Sequence, residues 1–122
     1  MKDGFEVRLR RVYDAVEPQD GTRVLVDRLW PRGLAKETAR LDEWVKDVAP
    51  SAELRRWYGH DPERFAEFGQ RYRAELAGSR QQAALHRVRE LAGPARLTLL
   101  TATKDLDHSH APILAEELRD LR

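Results

Sequence analysis

Two short stretches constrain the fold of this 122-residue chain most: Val24-Leu25-Val26 and Leu97 to Thr101 are strand-forming runs with apolar residues on both faces. Successive side chains of a strand point to opposite sides of the sheet, so such runs need cover above and below. That pattern belongs to mostly parallel sheets enclosed between other layers. The expected fold is therefore α/β: a small three-layer domain with a mostly parallel sheet of about four strands flanked by helices.

The remaining punctuation fits that class. Phe5, Val7 and Leu9 alternate with Glu6, Arg8 and Arg10, which predicts an edge strand with one wet face over Phe5 to Val12. Glu17 to Gly21 reads as a loop before the first buried strand, and Pro31 and Gly33 break the chain after it. Leu41 to Val48 fits either a short strand or one helical turn. Ser51 is placed to cap a helix through Tyr58, and Asp61-Pro62 starts another with Phe65, Phe68, Tyr72 and Leu76 as its apolar stripe. Ser79 is expected to cap the next, which turns Ala84, Val88 and Leu91 inward and ends at Gly93-Pro94. Pro112 lies in the first turn of a last helix with Leu114, Leu118 and Leu121 inside. The length suits one domain over residues 1–122.

Composition removes much chemistry. Cys is absent, which excludes disulfides, a thiol nucleophile and Cys-held metal. The 22 basic and 21 acidic residues nearly cancel, so any attraction to nucleic acid or anionic membrane must come from a local patch. No apolar run approaches the roughly 20 residues that span a bilayer, and the first ten residues lack the apolar stretch of a secretory signal, so a cytoplasmic location is expected. Gly-rich phosphate loops, GxSxG elbows and HExxH pairs are also missing.

In open α/β sheets ligands gather beyond the carboxyl ends of the strands, which directs attention to the loops after Val26 and Thr101. The first holds Asp27, Arg28, Trp30 and Arg32 in a segment stiffened by Pro31. Arginine presents a planar fork for carboxylate or phosphate, and tryptophan a flat face for stacking. The second holds Lys104, Ser109 and His110 before the last helix, whose N-terminal N–H groups attract anions. The expected site takes Asp27 and His110 as candidate catalytic groups and Arg28, Trp30, Arg32, Lys104 and Ser109 as ligand-binding groups. The plainer alternative has Asp27 and Arg28 pairing at a strand end, Trp30 closing the core, and Ser109 merely capping a helix.

His108 and His110 are two apart and lack a third ligand, so no metal and no cofactor is expected. His86 falls on a helix surface, while Trp57, Tyr58, His60 and Asp61 form a secondary cluster at a helix junction. The favoured partner is a phosphate- or carboxylate-bearing small molecule, held by a sensor or by a hydrolase or transferase. Two other readings stand beside it. Arg80, Arg87 and Arg89, with Arg28 and Arg32, would serve a nucleic-acid-binding or regulatory protein, which the balanced charge disfavours. The Phe5 to Val12 edge and Trp57 would serve a non-catalytic interaction domain, as monomer or homodimer.

Three stretches also carry a family likeness: Arg23-Val-Leu-Val-Asp-Arg-Leu-Trp-Pro-Arg-Gly33; Ala49-Pro-Ser51 with Glu53-Leu54-Arg55 and Trp57-Tyr58; and Leu97-Thr-Leu-Leu-Thr-Ala-Thr-Lys-Asp105 followed by His110-Ala111. Over nearly its whole length the chain resembles the YeaO-like branch of the bacterial family called domain of unknown function 488. The resemblance implies a compact α/β domain and carries no established activity. Other branches have a Cys just before the histidine matched by His110, another at the end of the preceding strand, and an Arg after that histidine. Here Ser109 and Ala111 flank His110 and no Cys exists, so thiol chemistry does not carry over. An anion in the shared pocket would need other cations, for which the resemblance leaves Arg28, Arg32 and Lys104.

Overall fold

Four strands, β1 (Glu6–Arg11), β2 (Thr22–Leu25), β3 (Glu43–Trp44) and β4 (Arg96–Thr101), form one all-parallel sheet in the order β1-β4-β2-β3. The computed structural model describes residues 5–121, so the two ends of the domain expected over 1–122 lie outside the described residues. Five helices accompany the strands among the described residues, α1 (Lys36–Ala39), α2 (Ala52–Tyr58), α3 (Phe65–Leu76) and α4 (Ser79–Ala92) between them and α5 (Ala111–Arg119) after the last. The two runs apolar on both faces, β2 and β4, are the two central strands, paired with Val24 beside Leu99 and Leu25 beside Leu100.

Strand periodicity divides the core in two. Val7, Leu9, Val24, Val26, Leu97 and Leu99 belong to the larger cluster, packed against Leu54 and Tyr58 of α2, Phe68, Tyr72 and Leu76 of α3, Leu85 and Val88 of α4, and Leu114 and Leu118 of α5. The opposite face carries a small cluster of Val12, Leu25 and Leu100 under Trp30, Leu34, Leu41 and Trp44. All the long helices pack in the first cluster. The third layer is thin, made of the four-residue α1 and loops.

The rest of the second face is closed by charge. Asp20 is 1% exposed, and its carboxylate accepts hydrogen bonds from Arg8 at 3.1 Å, Arg10 at 3.2 Å, Arg23 and the Glu17 N–H. The expected wet face of β1 is thus corrected: Arg8 and Arg10 reach sideways to a buried acid. Burial pushes the Asp20 carboxyl up, but hydrogen bonds from Glu17 and Arg23 and the charges of Arg10 and Arg23 outweigh it and hold it below the ordinary value. Gly21 follows with φ 64°, and a Cβ there would stand 2.4 Å from the Arg96 carbonyl oxygen. Only glycine combines that backbone with so close an approach.

β1 is an edge strand, yet part of its outer side is occupied. The Arg11 N–H donates to Asp14 at 3.0 Å and the Val7 carbonyl accepts from Arg119. Such plugs deter strand addition.

Two of the three caps expected from the sequence are made. Ser51 Oγ accepts the Leu54 N–H at 3.1 Å and donates to Glu75 at 2.6 Å, tying α2 to α3. Asp61 accepts the Glu63 N–H, and Pro62 opens a single 3₁₀ turn that runs into α3. The cap of α4 is Gly78, and Ser79 is already the first helical residue. Between Leu41 and Val48 both expected forms occur in succession, β3 and then a 3₁₀ turn over Lys46–Val48.

Candidate functional site

Because β2 and β4 are parallel neighbours, the two polar loops leave the sheet side by side. Asp27 joins them: one carboxylate oxygen accepts from Thr101 Oγ1 at 2.7 Å and the other from the Ala102 N–H at 2.8 Å. Both oxygens are therefore engaged, and Asp27 acts as a brace between the loops.

His110 lies just before α5, 8% exposed, with its ring edge-on to Tyr72. Its Nε2 stands 2.9 Å from the Val26 carbonyl oxygen and 3.7 Å from Asp27. A ring nitrogen facing a carbonyl must carry the proton, so the neutral ring keeps its lone pair on Nδ1. That nitrogen has no hydrogen-bond partner among the described residues and is not among the fully buried atoms, so it keeps some exposure on a side chain that lines the cleft described next. Burial lowers the His110 pKa. The Asp27 charge and the bond to Val26 pull it up, Arg55 pushes it down, and the net is below the usual value. At neutral pH the ring is an uncharged acceptor.

Around these groups opens a cleft of about 280 Å³, just under the usual size of small-molecule cavities. Arg28 lines it, giving long 3.3 Å hydrogen bonds from Nε to the Pro50 carbonyl and from Nη2 to that of Ala49. Arg55 and Arg56, exposed on the capped helix α2, line another wall, and among the described residues neither guanidinium has a carboxylate partner. Phe68 and Tyr58 add apolar surface, stacked with centroids 4.3 Å apart. Tyr58 donates its hydroxyl to the His108 carbonyl at 2.6 Å; burial, then the charges of Asp105 and Asp61, raise its pKa. The phenol stays protonated and fixed.

Of the residues expected from sequence, Asp27, Arg28, Ser109 and His110 meet at this cleft, with Tyr58 and His60 of the secondary cluster. Trp30, Arg32 and Lys104 are not part of its lining. Trp30 donates its indole N–H to the Leu34 carbonyl at 2.9 Å and packs edge-on to Trp44, closing the smaller core. Arg32 and Lys104 point into solvent, and Arg32 offers only its carbonyl, to Tyr13. Ser109 lines the cleft without Lys104, and its hydroxyl donates to the Leu106 carbonyl and accepts the Ala111 N–H, which uses the first free donor of α5. Trp57 lies between Arg64 and Arg71 on the helix surface, outside the cleft lining.

Sequence reasoning missed Arg55 and Arg56 as site residues. The available signal was two adjacent arginines in the first helix after Pro50, but nothing local fixes which way that helix faces. The basic face imagined on α4 is not assembled either: Arg87 pairs with Glu43 at 2.9 Å and Arg89 lies over the Phe5 ring. His108 bonds Asp105 at 2.8 Å and packs edge-on to Phe65, separate in role from His110.

A chain whose parallel sheet carries the braced Asp27–His110 pair at its carboxyl edge belongs to the DUF488 family: residues 6–121 match the family model described as the inactive DUF488-N3 subclade. Among its relatives, the uncharacterized protein Rv3073c of Mycobacterium tuberculosis is 53% identical over 112 residues, 92% of either chain. The uncharacterized protein YeaO of Escherichia coli is 44% identical over 117 residues, which is 96% of this chain and 100% of that one. No solved structure matches significantly. No helix among the described residues is long and apolar enough to cross a membrane.

Proposed function

We propose that this protein binds a small phosphate- or carboxylate-bearing molecule in the cleft at the carboxyl edge of its sheet, as a binding domain and not as a catalyst. The observation that carries the reading is the charge balance of the lining: Arg28, Arg55 and Arg56 face one carboxylate, Asp27, whose oxygens are already used. Arginines left without carboxylate partners around a partly enclosed space are what anion recognition requires.

The hydrolase or transferase alternative needs a group that moves a proton. Asp27 is held by Thr101 and Ala102, which leaves the imidazoles of His110 and His60 as candidates, and the subclade's description as inactive favours binding. A cytoplasmic location belongs to the same proposal.

The test is a thermal-shift and calorimetry screen of the wild type, Arg28→Ala and Arg55→Ala against nucleotides, sugar phosphates, carboxylates and simple anions. A ligand at a hundredfold over its Kd should add about 2.7 kcal/mol to stability. The shift should vanish in both variants; unliganded Arg55→Ala should melt within about 2 °C of wild type, as expected for a surface change, whereas Arg28→Ala should melt lower because it loses its bonds to the Pro50 and Ala49 carbonyls. If no compound in the panel shifts the wild type, the proposal is wrong.

A further inference from the structure

Resting on that reading of the cleft, we infer that the ligand is a hydroxyl-bearing phosphomonoester in its dianionic form, not a carboxylate or a free ion. Three arginines against one carboxylate leave a surplus of two positive charges in the lining, with His110 neutral. A monocarboxylate cancels half of that surplus. A phosphomonoester, with its second pKa near 6, carries about −1.5 to −2 at pH 7 and presents three terminal oxygens to the guanidinium forks.

His110 decides which end of the ligand goes where. Its Nε2–H is spent on the Val26 carbonyl, so the open Nδ1 lone pair accepts hydrogen bonds and repels phosphate oxygens. The phosphate therefore belongs with the arginines, and the part of the ligand at His110 must carry an O–H donor. Between the two ends, the rings of Tyr58 and Phe68 and the side chain of Pro50 give an apolar wall, since the Tyr58 hydroxyl is turned to His108. A cleft of about 280 Å³ leaves room for an organic body of a few carbons beyond the phosphate.

The experiment is calorimetry at pH 7.5 with ribose 5-phosphate, inorganic phosphate, phenyl phosphate, phenyl sulfate and benzoate. Phenyl phosphate and phenyl sulfate share a shape but differ by about one charge, so the dianion should bind at least tenfold tighter. Arg55→Ala and Arg56→Ala, at exposed helix positions, should each lose about tenfold for phenyl phosphate and little for benzoate. Ribose 5-phosphate should bind tighter than inorganic phosphate. In ¹⁵N-histidine-labelled wild type it should move the Nδ1 resonance of His110, which phenyl phosphate, lacking a donor, leaves in place.

Phenyl sulfate or benzoate binding as tightly as phenyl phosphate would overturn the inference while leaving an anion site standing. Inorganic phosphate matching ribose 5-phosphate, or an unmoved Nδ1 resonance, would overturn the placement of the organic part. Silence from every probe would remove both the inference and the binding site beneath it.

Discussion

Replacing Asp20 by Asn removes one negative charge from a buried group that holds three arginines. Arg23, 4% exposed, would keep its charge in the second face without the carboxylate it now touches, and Arg10 is nearly as enclosed, at 15%. Taking away one partner of a buried ion pair costs about 3–5 kcal/mol, because the other charge stays desolvated. Arg8 is 34% exposed and already pairs with Glu17 at 3.0 Å, which favours the lower half, about 3–4 kcal/mol. At roughly 2.1 cal/mol/K of unfolding entropy per residue, a chain of 122 residues loses about 4 °C of Tm per kcal/mol. The variant should therefore melt roughly 12–16 °C below wild type at pH 7. The pH dependence supplies a second check. The folded carboxyl is held below its ordinary value of 3.8, so on acidification the unfolded chain binds the proton first. The stabilisation is full above that ordinary value and is lost as the pH falls through the lower folded value. Urea denaturation of both proteins from pH 7 down to pH 3 should show a gap that is constant above pH 5 and narrows below pH 4. A gap under about 1 kcal/mol at pH 7, or one that ignores pH, would refute the claim that Asp20 neutralises the arginine cluster.

Other expectations follow from the same structure. Gly21→Ala must push a Cβ against the Arg96 carbonyl in a backbone conformation few other residues adopt, and should cost roughly 2–3 kcal/mol in urea denaturation. Tyr72→Phe leaves the Val48 carbonyl without its donor inside the core and should cost about 1–3 kcal/mol by the same measurement. His110, with its pKa lowered on folding, makes stability fall as the pH drops through the unfolded value of 6.5, because the unfolded chain protonates first, and the fall ends once the folded value is passed. Long-range ¹H–¹⁵N NMR at pH 7 should find His110 neutral and protonated on Nε2; a charged ring, or the other tautomer, would contradict the bond to Val26.

What the sequence made legible was whatever depends on neighbours along the chain. Apolar runs at 24–26 and 97–101 marked the central strands, and Ser51 and Asp61 marked helix starts, because burial pattern and capping are local chemistry. The α/β class and a mostly parallel sheet followed from them, and the sheet is in fact all-parallel. Arg8 and Arg10 looked solvated because alternation says which side a residue faces but not what crosses over to meet it; Asp20 does. Ser79 lost its capping role to Gly78, one residue away, where the chain turns tightly out of α3. At the site, Asp27, Arg28, Ser109 and His110 were reachable by the rule that ligands gather at strand ends. Arg55 and Arg56 were not, since their place depends on where Ser51 and Glu75 anchor α2 over the sheet's edge, a contact spanning 24 residues. Trp30 and Lys104 had suitable chemistry and the wrong direction.

The position of β4 has a consequence for how this protein is made. β1 and β2 never touch as a pair; β1 finds its strand neighbour only in residues 96–101, and β2 has before that only the two-residue β3 beside it. A nascent chain emerging from the ribosome therefore carries an unpaired β1 and a β2 with one whole side open until more than three-quarters of its length has been synthesised. Helices α3 and α4 can form early from local contacts, but the surface they are shaped to cover does not yet exist. Assembly becomes a single late event in which the fourth strand slides between the first two, and any fragment stopping short of Arg96 should be a target for chaperones and proteases.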